Sequence, residues 1–312
     1  MPSPSDGGAG SGPRRFSIVV PTYDRLRRLA ACLDALAALD YPRDAYEVVV
    51  VDDGSSTPLD DVVAAHAGDA TVRLHRQANA GPACARNAGL AHATGDWLAF
   101  TDDDCAPEPG WLAALAAAAD AHPDALLGGH TTNGLDGNRC AAASQLLVTY
   151  LYEELRAGPG EASEPAFFAS NNIAAPAGRL RDLGGFDAAF PLAAGEDRDL
   201  CDRWRHAGGR LVHVPEAVVV HRHDLDLRGY WRQHAAYGRG AYRFHRARAA
   251  RGGGRVRLEP SRFYARLVAR PFRDGPAPRA LELAGLLGLS QVANAAGYAT
   301  EWLGDRPERT GR

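Results

Sequence analysis

The sequence predicts an α/β fold: a Rossmann-like, mostly parallel sheet flanked by helices, with a helical appendage at its C-terminal end. Three observations predict it. Short apolar runs alternate with segments of helical period, the pattern of βαβ units. One run carries four consecutive valines, Val48, Val49, Val50 and Val51, and so reads as a strand buried on both faces. Two runs end in Asp-rich turns, at the strand ends where open α/β sheets bind ligands.

The elements follow in order. Residues 16–20 read as a first strand, stopped by Pro21. Residues 26–39 form a helix with Leu26, Leu29, Leu33 and Leu36 on one face. Residues 47–51 are the second strand, ending in Asp52-Asp53-Gly54-Ser55-Ser56. A third strand over 72–75 and a helix over 82–93 precede a fourth strand over 96–100, which delivers Asp102, Asp103 and Asp104 to the same sheet edge. An Ala-rich helix covers 111–121. Alternation then weakens, and the Gly- and Asn-rich stretches 128–138 and 170–177 read as loops lining a cleft. Strand-like pieces return at 210–214 and 217–220. Arg, His and aromatic residues interleave over 226–257, a Pro- and Gly-punctuated linker spans 271–278, and a mildly amphipathic helix covers 281–303. The expected division is a flexible tail over 1–14, a sheet domain over 15–225 and a helical region over 226–312.

Composition narrows the classes. The chain has 312 residues, 46% hydrophobic and 23% charged, enough for a sizeable core. A formal net charge of -3 gives no sign of general nucleic-acid binding. Five scattered cysteines without a C-x-x-C suggest neither a disulfide framework nor a zinc site, and favour a reducing compartment. The Gly/Ser/Pro-rich start lacks the apolar core of a signal peptide. No apolar run is long enough for a membrane span. A cytoplasmic protein is expected, with peripheral contact at the inner face of the membrane left open.

The chemistry concentrates in a few motifs. Asp102-Asp103-Asp104 gathers three carboxylates that repel one another unless positive charge sits among them. A hard divalent cation, Mg²⁺ or Mn²⁺, suits such oxygen ligands and keeps positions open for substrate phosphates. An Asp-rich turn capping a helix is the competing reading. Asp53 can accept hydrogen bonds from a nucleobase or ribose, although turn chemistry explains Asp-Asp-Gly-Ser equally well. Arg86 falls in the first turn of a helix, where the dipole disfavours a cation, so a phosphate or carboxylate partner is expected. Otherwise it is a surface Arg. Glu196 and Asp197 fall at the amino end of a helix with Leu200, Trp204 and Ala207 on one face. The dipole alone favours carboxylates there; functionally, Asp197 is a candidate general base toward a hydroxyl. His221 or His223, just past a strand, can complete a divalent site begun by the Asp run.

Taken in order, these residues resemble the family 2 glycosyltransferases. The matching signs are Ile18-Val19-Val20-Pro21-Thr22-Tyr23, Val51-Asp52-Asp53-Gly54-Ser55, the segment 79–89, Thr101-Asp102-Asp103-Asp104, Gly184-Gly185-Phe186-Asp187, Gly195-Glu196-Asp197 and the late His221. They cover about residues 16–223 and fade after 225. The resemblance implies a GT-A fold and an inverting transfer from a nucleoside diphosphate sugar, expected to be a UDP-sugar, to an acceptor hydroxyl. It implies that Pro21, Tyr23 and Asp53 line the nucleoside pocket with Arg86 beside it, and that Asp102, with Asp103, approaches the ribose or donor sugar. It further implies that Asp104 binds the metal with His221, and that Asp197 is the base with Glu196 as its neighbour. The acceptor stays open: glycan, lipid-linked, small molecule or peptide. A homodimer contact also stays open.

Three rivals compete with this reading. A sugar-phosphate nucleotidyltransferase needs a Gly-rich basic signature after the first strand, where this chain has Pro21-Thr22-Tyr23-Asp24-Arg25. A nucleotide-sugar-binding protein without transfer activity has little reason to keep the full acidic set. A dinucleotide oxidoreductase is disfavoured because no G-x-G-x-x-G follows the first strand.

Overall fold

A computed structural model describes residues 12–66, 68, 71–157, 164–253, 259–273 and 276–305. Most of the tail expected over 1–14, and parts of the segments expected over 226–257 and 271–278, lie outside the described residues. In chain order the strands are β1 (Phe16–Thr22), β2 (Tyr46–Asp52), β3 (Thr71–Arg76), β4 (Trp97–Phe100), β5 (Cys105–Pro107), β6 (Leu126–Asn133), β7 (Arg156–Ala157), β8 (Glu164–Pro165), β9 (Ile173–Pro176) and β10 (Leu211–His221). The α-helices are α1 (Leu26–Ala37), α2 (Asp60–Ala65), α3 (Pro82–His92), α4 (Trp111–Ala121), α5 (Arg139–Glu154), α6 (Ala177–Asp182), α7 (Glu196–His206), α8 (Leu227–Ala250), α9 (Ser261–Ala269) and α10 (Ala277–Gly304).

Eight strands form one sheet in the order β3-β2-β1-β4-β9-β6-β10-β5. β3, β2, β1 and β4 are mutually parallel, as are β6 and β10; β9 and β5 join antiparallel. The predicted α/β architecture is therefore present, with antiparallel insertions in its second half. Both sheet faces are covered. Ile18, Val48 and Val50 pack with Leu29, Leu33 and Leu36 of α1 and Trp111 of α4 on one side. Val19, Val49 and Phe100 pack with Leu200 and Trp204 of α7 on the other. Such two-sided burial is what a run of valines without polar alternation requires.

Pro21 does not stop the first strand, which runs on to Thr22. Pairing with β4 ends at Val19, whose carbonyl accepts from the Thr101 N–H at 3.2 Å. Thr22 bonds on the β2 side, through Asp53 N–H at 2.9 Å. By alternation, Pro21 presents its missing N–H to the side where β4 has ended, so no ladder bond is lost.

The stretches expected as loops at 128–138 and 170–177 are instead largely structured. Residues 126–133 are strand β6, and 173–176 are strand β9, inserted between β4 and β6. Gly128 and Gly129 concealed β6, and both are there for close approach. A Cβ on Gly128 would meet the Phe168 ring at 2.0 Å, and one on Gly129 would meet the Ala217 carbonyl oxygen at 2.2 Å. The two pieces expected at 210–214 and 217–220 are one strand, β10, irregular between Val214 and Val218, where Pro215 interrupts the ladder. Helix α5 was not anticipated; Asn138 caps it, its side chain accepting from Ala141 N–H at 2.9 Å. The expected linker at 271–278 overlaps the 3₁₀ turn Arg270–Arg273 and the start of α10.

α8 and α10 lie side by side, and they return onto the sheet domain through α7 and α5. Tyr230 donates to the Leu286 carbonyl at 3.0 Å, and Gly238 and Gly297 let the two backbones approach. No helix among the described residues is long and apolar enough to cross a membrane.

Candidate active site

β2, β1 and β4 run parallel, so their carboxyl ends bring Asp52-Asp53, Thr22 and Asp102-Asp103-Asp104 to one edge. Thr22 Oγ1 donates to Asp103 at 2.8 Å, fixing the turn after β4 against β1. Asp53 accepts from Gln77 Nε2 at 2.7 Å and from the N–H groups of Ala80 and Gly81 at 2.9 Å each. Asp53 therefore anchors the loop that leads into α3.

The three carboxylates are met by the protein's own cations. Arg86 Nη2 donates to Asp102 at 2.7 Å, and Arg25 Nη1 to Asp103 at 3.1 Å. Arg28 Nη1 lies 3.1 Å from Asp104, Arg25 Nη1 3.5 Å from it, and His221 Nε2 3.2 Å. Burial pushes the Asp103 carboxyl up to about 6, against the pull of Arg25. Burial also opposes charge on Asp104, but the hydrogen bond from His221 and its positive charge prevail and hold that carboxyl well below the usual range. Reciprocally, burial alone would lower His221, and its bond to Asp104 raises it above the ordinary imidazole value.

Topology explains why His221 reaches Asp104. β5 turns back antiparallel to the end of β10, with His221 opposite Cys105, and the Asp104 carbonyl accepts from Arg222 N–H at 2.8 Å. Donor atoms of Asp104, Cys105 and His221 all lie within 4.8 Å of one another. Carboxylate oxygen and imidazole nitrogen suit Mg²⁺ or Mn²⁺, whereas a thiol is the wrong ligand for either. Burial pushes the Cys105 thiol far up, so it stays protonated. Asp104 and His221 thus fit a hard divalent ion without it. The His223 ring lies 4.9 Å from that of His221, and burial and this neighbour push it down to about 4.

The second half of the site comes from α3 and α7. Gly195, at φ +89°, turns the chain into α7, and a Cβ there would press on the Gly240 backbone of α8 at 3.0 Å. Glu196 then lies buried, its Oε1 3.1 Å from Arg86 Nη1. Arg86 is only 2% exposed, so the surface reading of this residue fails, and its partners are carboxylates. Its guanidinium also sits 5.5 Å over the Phe186 ring. Asp197 accepts from Arg198 N–H at 2.7 Å. Burial raises the Glu196 and Asp197 carboxyls above their ordinary range, with their mutual repulsion adding to Glu196.

One cavity of about 440 Å³ joins these groups. Arg86, Asp102, Asp104, Glu196, Asp197 and His221 all line it. Pro21, Tyr23, Asp53 and Asp103 do not; Tyr23 is 48% exposed beyond β1, and Asp103 turns back on Thr22 and Arg25. Sequence reasoning missed Arg25 and Arg28 as partners of the Asp run. Their spacing of three residues, at the start of the helix after β1, was the available signal. It also missed Ser144, Gln233 and Tyr237, which line the cavity from α5 and α8.

The family model described as Glycosyl transferase family 2 matches residues 17–175. A pre-mycofactocin glycosyltransferase of Mycobacterium tuberculosis is 37% identical over 240 residues, covering 73% of this chain and 47% of that protein. The glycosyltransferase AglE of Haloferax volcanii is 35% identical over 98 residues, covering 31% of this chain and 32% of that protein. The chain thus spans about half the length of the first of these relatives and less of the second. Among solved structures, the mannosyltransferase PcManGT from Pyrobaculum calidifontis, in complex with GDP-Man and Mn²⁺, superposes with a TM-score of 0.65 at 22% identity, covering 95% of this chain and 89% of that one. TarS 1-349 of S. aureus, in complex with UDP-GlcNAc, superposes with a TM-score of 0.58 at 18% identity, covering 95% of this chain and 93% of that one. These likenesses establish the GT-A fold.

Proposed function

The chain belongs to glycosyl transferase family 2, and from that premise we propose that it is an inverting glycosyltransferase with Asp197 as its base. The observation that carries this reading is that Asp197 shares one cavity with the Asp104–His221 pair. A base and a diphosphate-facing site must flank the reacting carbon from opposite sides. The acceptor hydroxyl gives its proton to Asp197 as its oxygen bonds to the anomeric carbon. The bond to the nucleoside diphosphate breaks on the opposite face, and configuration inverts.

The charge that grows on the leaving diphosphate needs offsetting. Asp104 and His221 would hold a Mg²⁺ or Mn²⁺ ion, which supplies that charge stabilisation when bound. Arg25 and Arg28, already beside Asp104, add fixed positive charge at the same end. Arg86 bridges Asp102 and Glu196 and orients both carboxylates, a positioning role. Pro21, Tyr23 and Asp53 are assigned to the nucleoside, and Asp102 to the ribose or donor sugar. The PcManGT and TarS complexes name GDP-Man, UDP and UDP-GlcNAc as ligands of those proteins, so a UDP- or GDP-sugar is the proposed donor. The M. tuberculosis relative makes a pre-mycofactocin-like acceptor one candidate.

The test is a panel of UDP- and GDP-sugars with Mn²⁺ or Mg²⁺, reading nucleoside diphosphate release. Release from one donor, lost in Asp197→Asn, supports the assignment. Release from none, or full release by the variant, overturns it.

A further inference from the structure

The cavity has two chemically distinct halves. The half built on the sheet edge, the start of α1, α3 and α7 carries the charges of the described lining residues, Arg25, Arg86, Asp102, Asp104, Glu196, Asp197 and Arg198. Among the described residues, α5, α8 and α10 contribute eleven to the lining, and none of these is ionisable as a carboxylate or a cation. Leu147, Val148, Leu151 and Ala236 give that half an apolar wall.

Its polar groups are neutral and clustered. Gln233 Nε2 donates to Tyr237 Oη at 2.5 Å and to Ser144 Oγ at 3.3 Å. The Gln233 amide oxygen has no hydrogen-bond partner among the described residues. Burial pushes the Tyr237 phenol up to about 12, with Asp197, Glu196 and Asp102 adding to it, so it stays a neutral hydroxyl facing the carboxylates. Accepting from Gln233, it keeps its own proton to donate.

We propose that α5, α8 and α10 form an acceptor pocket for an uncharged, compact hydroxyl compound with an apolar body, steered toward Asp197 by Tyr237 and Gln233. The proposal rests on the transferase reading for the direction of the hydroxyl. An anionic acceptor would have to shed its water against Leu147, Val148 and Leu151, on a wall where no described lining residue of α5, α8 or α10 carries a counter-charge. Arg198 of α7, also on the cavity, is stacked 4.8 Å over the Phe167 ring and 5.6 Å over that of Phe244, so burial against the wall is unfavourable for an anion. A polyol would leave most of its hydroxyls facing the same apolar wall. A neutral compound with one or two hydrogen-bonding groups satisfies both the wall and the Ser144–Gln233–Tyr237 cluster.

Three probes separate these classes: 4-(hydroxymethyl)benzamide, its anionic isostere 4-(hydroxymethyl)benzoate, and ribitol. Binding is read by ligand-observed NMR on the full chain, with and without UDP and Mn²⁺, so it does not depend on turnover. The benzamide should bind at least about tenfold more tightly than either of the others. In Val148→Lys, which places a cation on the apolar wall, the preference should swing toward the benzoate; a merely unfolded variant would lose all three. Equal or tighter binding of benzoate or ribitol to the parent overturns the proposal, as does binding of none, or an unchanged preference in Val148→Lys. Failure of the transferase reading shows separately, as the absence of donor turnover.

Discussion

Arg86 Nη1 stands 3.1 Å from Glu196 Oε1, a contact that spans 110 residues of sequence and joins two buried charges, each about 3% exposed at the side chain. It ties α3 to the first turn of α7 and leaves Arg86 Nη2 for Asp102. Removing one member of such a pair leaves the other charge buried alone, typically costing about 3–5 kcal/mol. Arg86→Leu should therefore lower unfolding stability by up to that amount, less where Glu196 takes up a proton, measured by denaturant titration at about pH 8. The double variant Arg86→Leu/Glu196→Leu should recover part of the loss. A loss under 1 kcal/mol in the single variant would show that the contact does not organise the site.

Asp197 is the group whose removal should be felt in rate rather than binding. Asp197→Asn should reduce turnover by about 10²–10⁴-fold if proton abstraction is ordinary general base catalysis. Donor affinity should stay within a few fold. Because burial raises this carboxyl, the acid limb of the turnover–pH profile should lie above the ordinary Asp range. A profile flat down to pH 4 would contradict the assignment.

The Asp104–His221 pair predicts a metal response that needs no substrate. Ligand binding to the native state raises its stability by about 2.7 kcal/mol at a hundredfold excess over Kd. Saturating Mn²⁺ should therefore raise Tm in the parent, and the rise should vanish in Asp104→Asn and shrink in His221→Ala. His223→Ala should keep it. Equal Tm shifts in all variants would place the ion elsewhere.

Glu196 gives the pH dependence of stability a definite sign. Its folded pKa is raised above its unfolded value, so the native state holds the proton more tightly than the unfolded chain does. That contribution to stability is complete below the unfolded carboxyl value and is lost as pH rises through the folded one. Glu196→Gln keeps the neutral form at every pH. It should flatten the fall in stability above about pH 4.5, followed by thermal unfolding across pH 4–8; an unchanged slope would mean Glu196 is already charged.

Gly128 should tolerate no side chain, since its Cβ would overlap the Phe168 ring. Overpacking of a close core contact costs about 1–3 kcal/mol. Gly128→Ala should destabilise by about that much, whereas Gly178→Ala, in open space on α6, should be neutral or slightly stabilising.

Much of this protein could be read from the linear chain. The valines of β2 and the helical period of α1 specify a parallel, two-sided sheet, because burial on both faces permits no polar alternation. Asp102-Asp103-Asp104 and Glu196-Asp197 were legible as chemistry because clustered carboxylates need a counter-charge or a task. What the chain alone could not tell is which counter-charges they meet. Arg25, Arg28 and Arg86 are ordinary arginines until β1, β4 and α7 are assembled. His221 faces Asp104 only because β5 folds back against β10, and β6 stays hidden because its glycines answer to Phe168 and Ala217, residues far along the chain. Local propensity and period act over a few residues, while close approach and charge pairing act across space, and only the folded sheet brings those partners together.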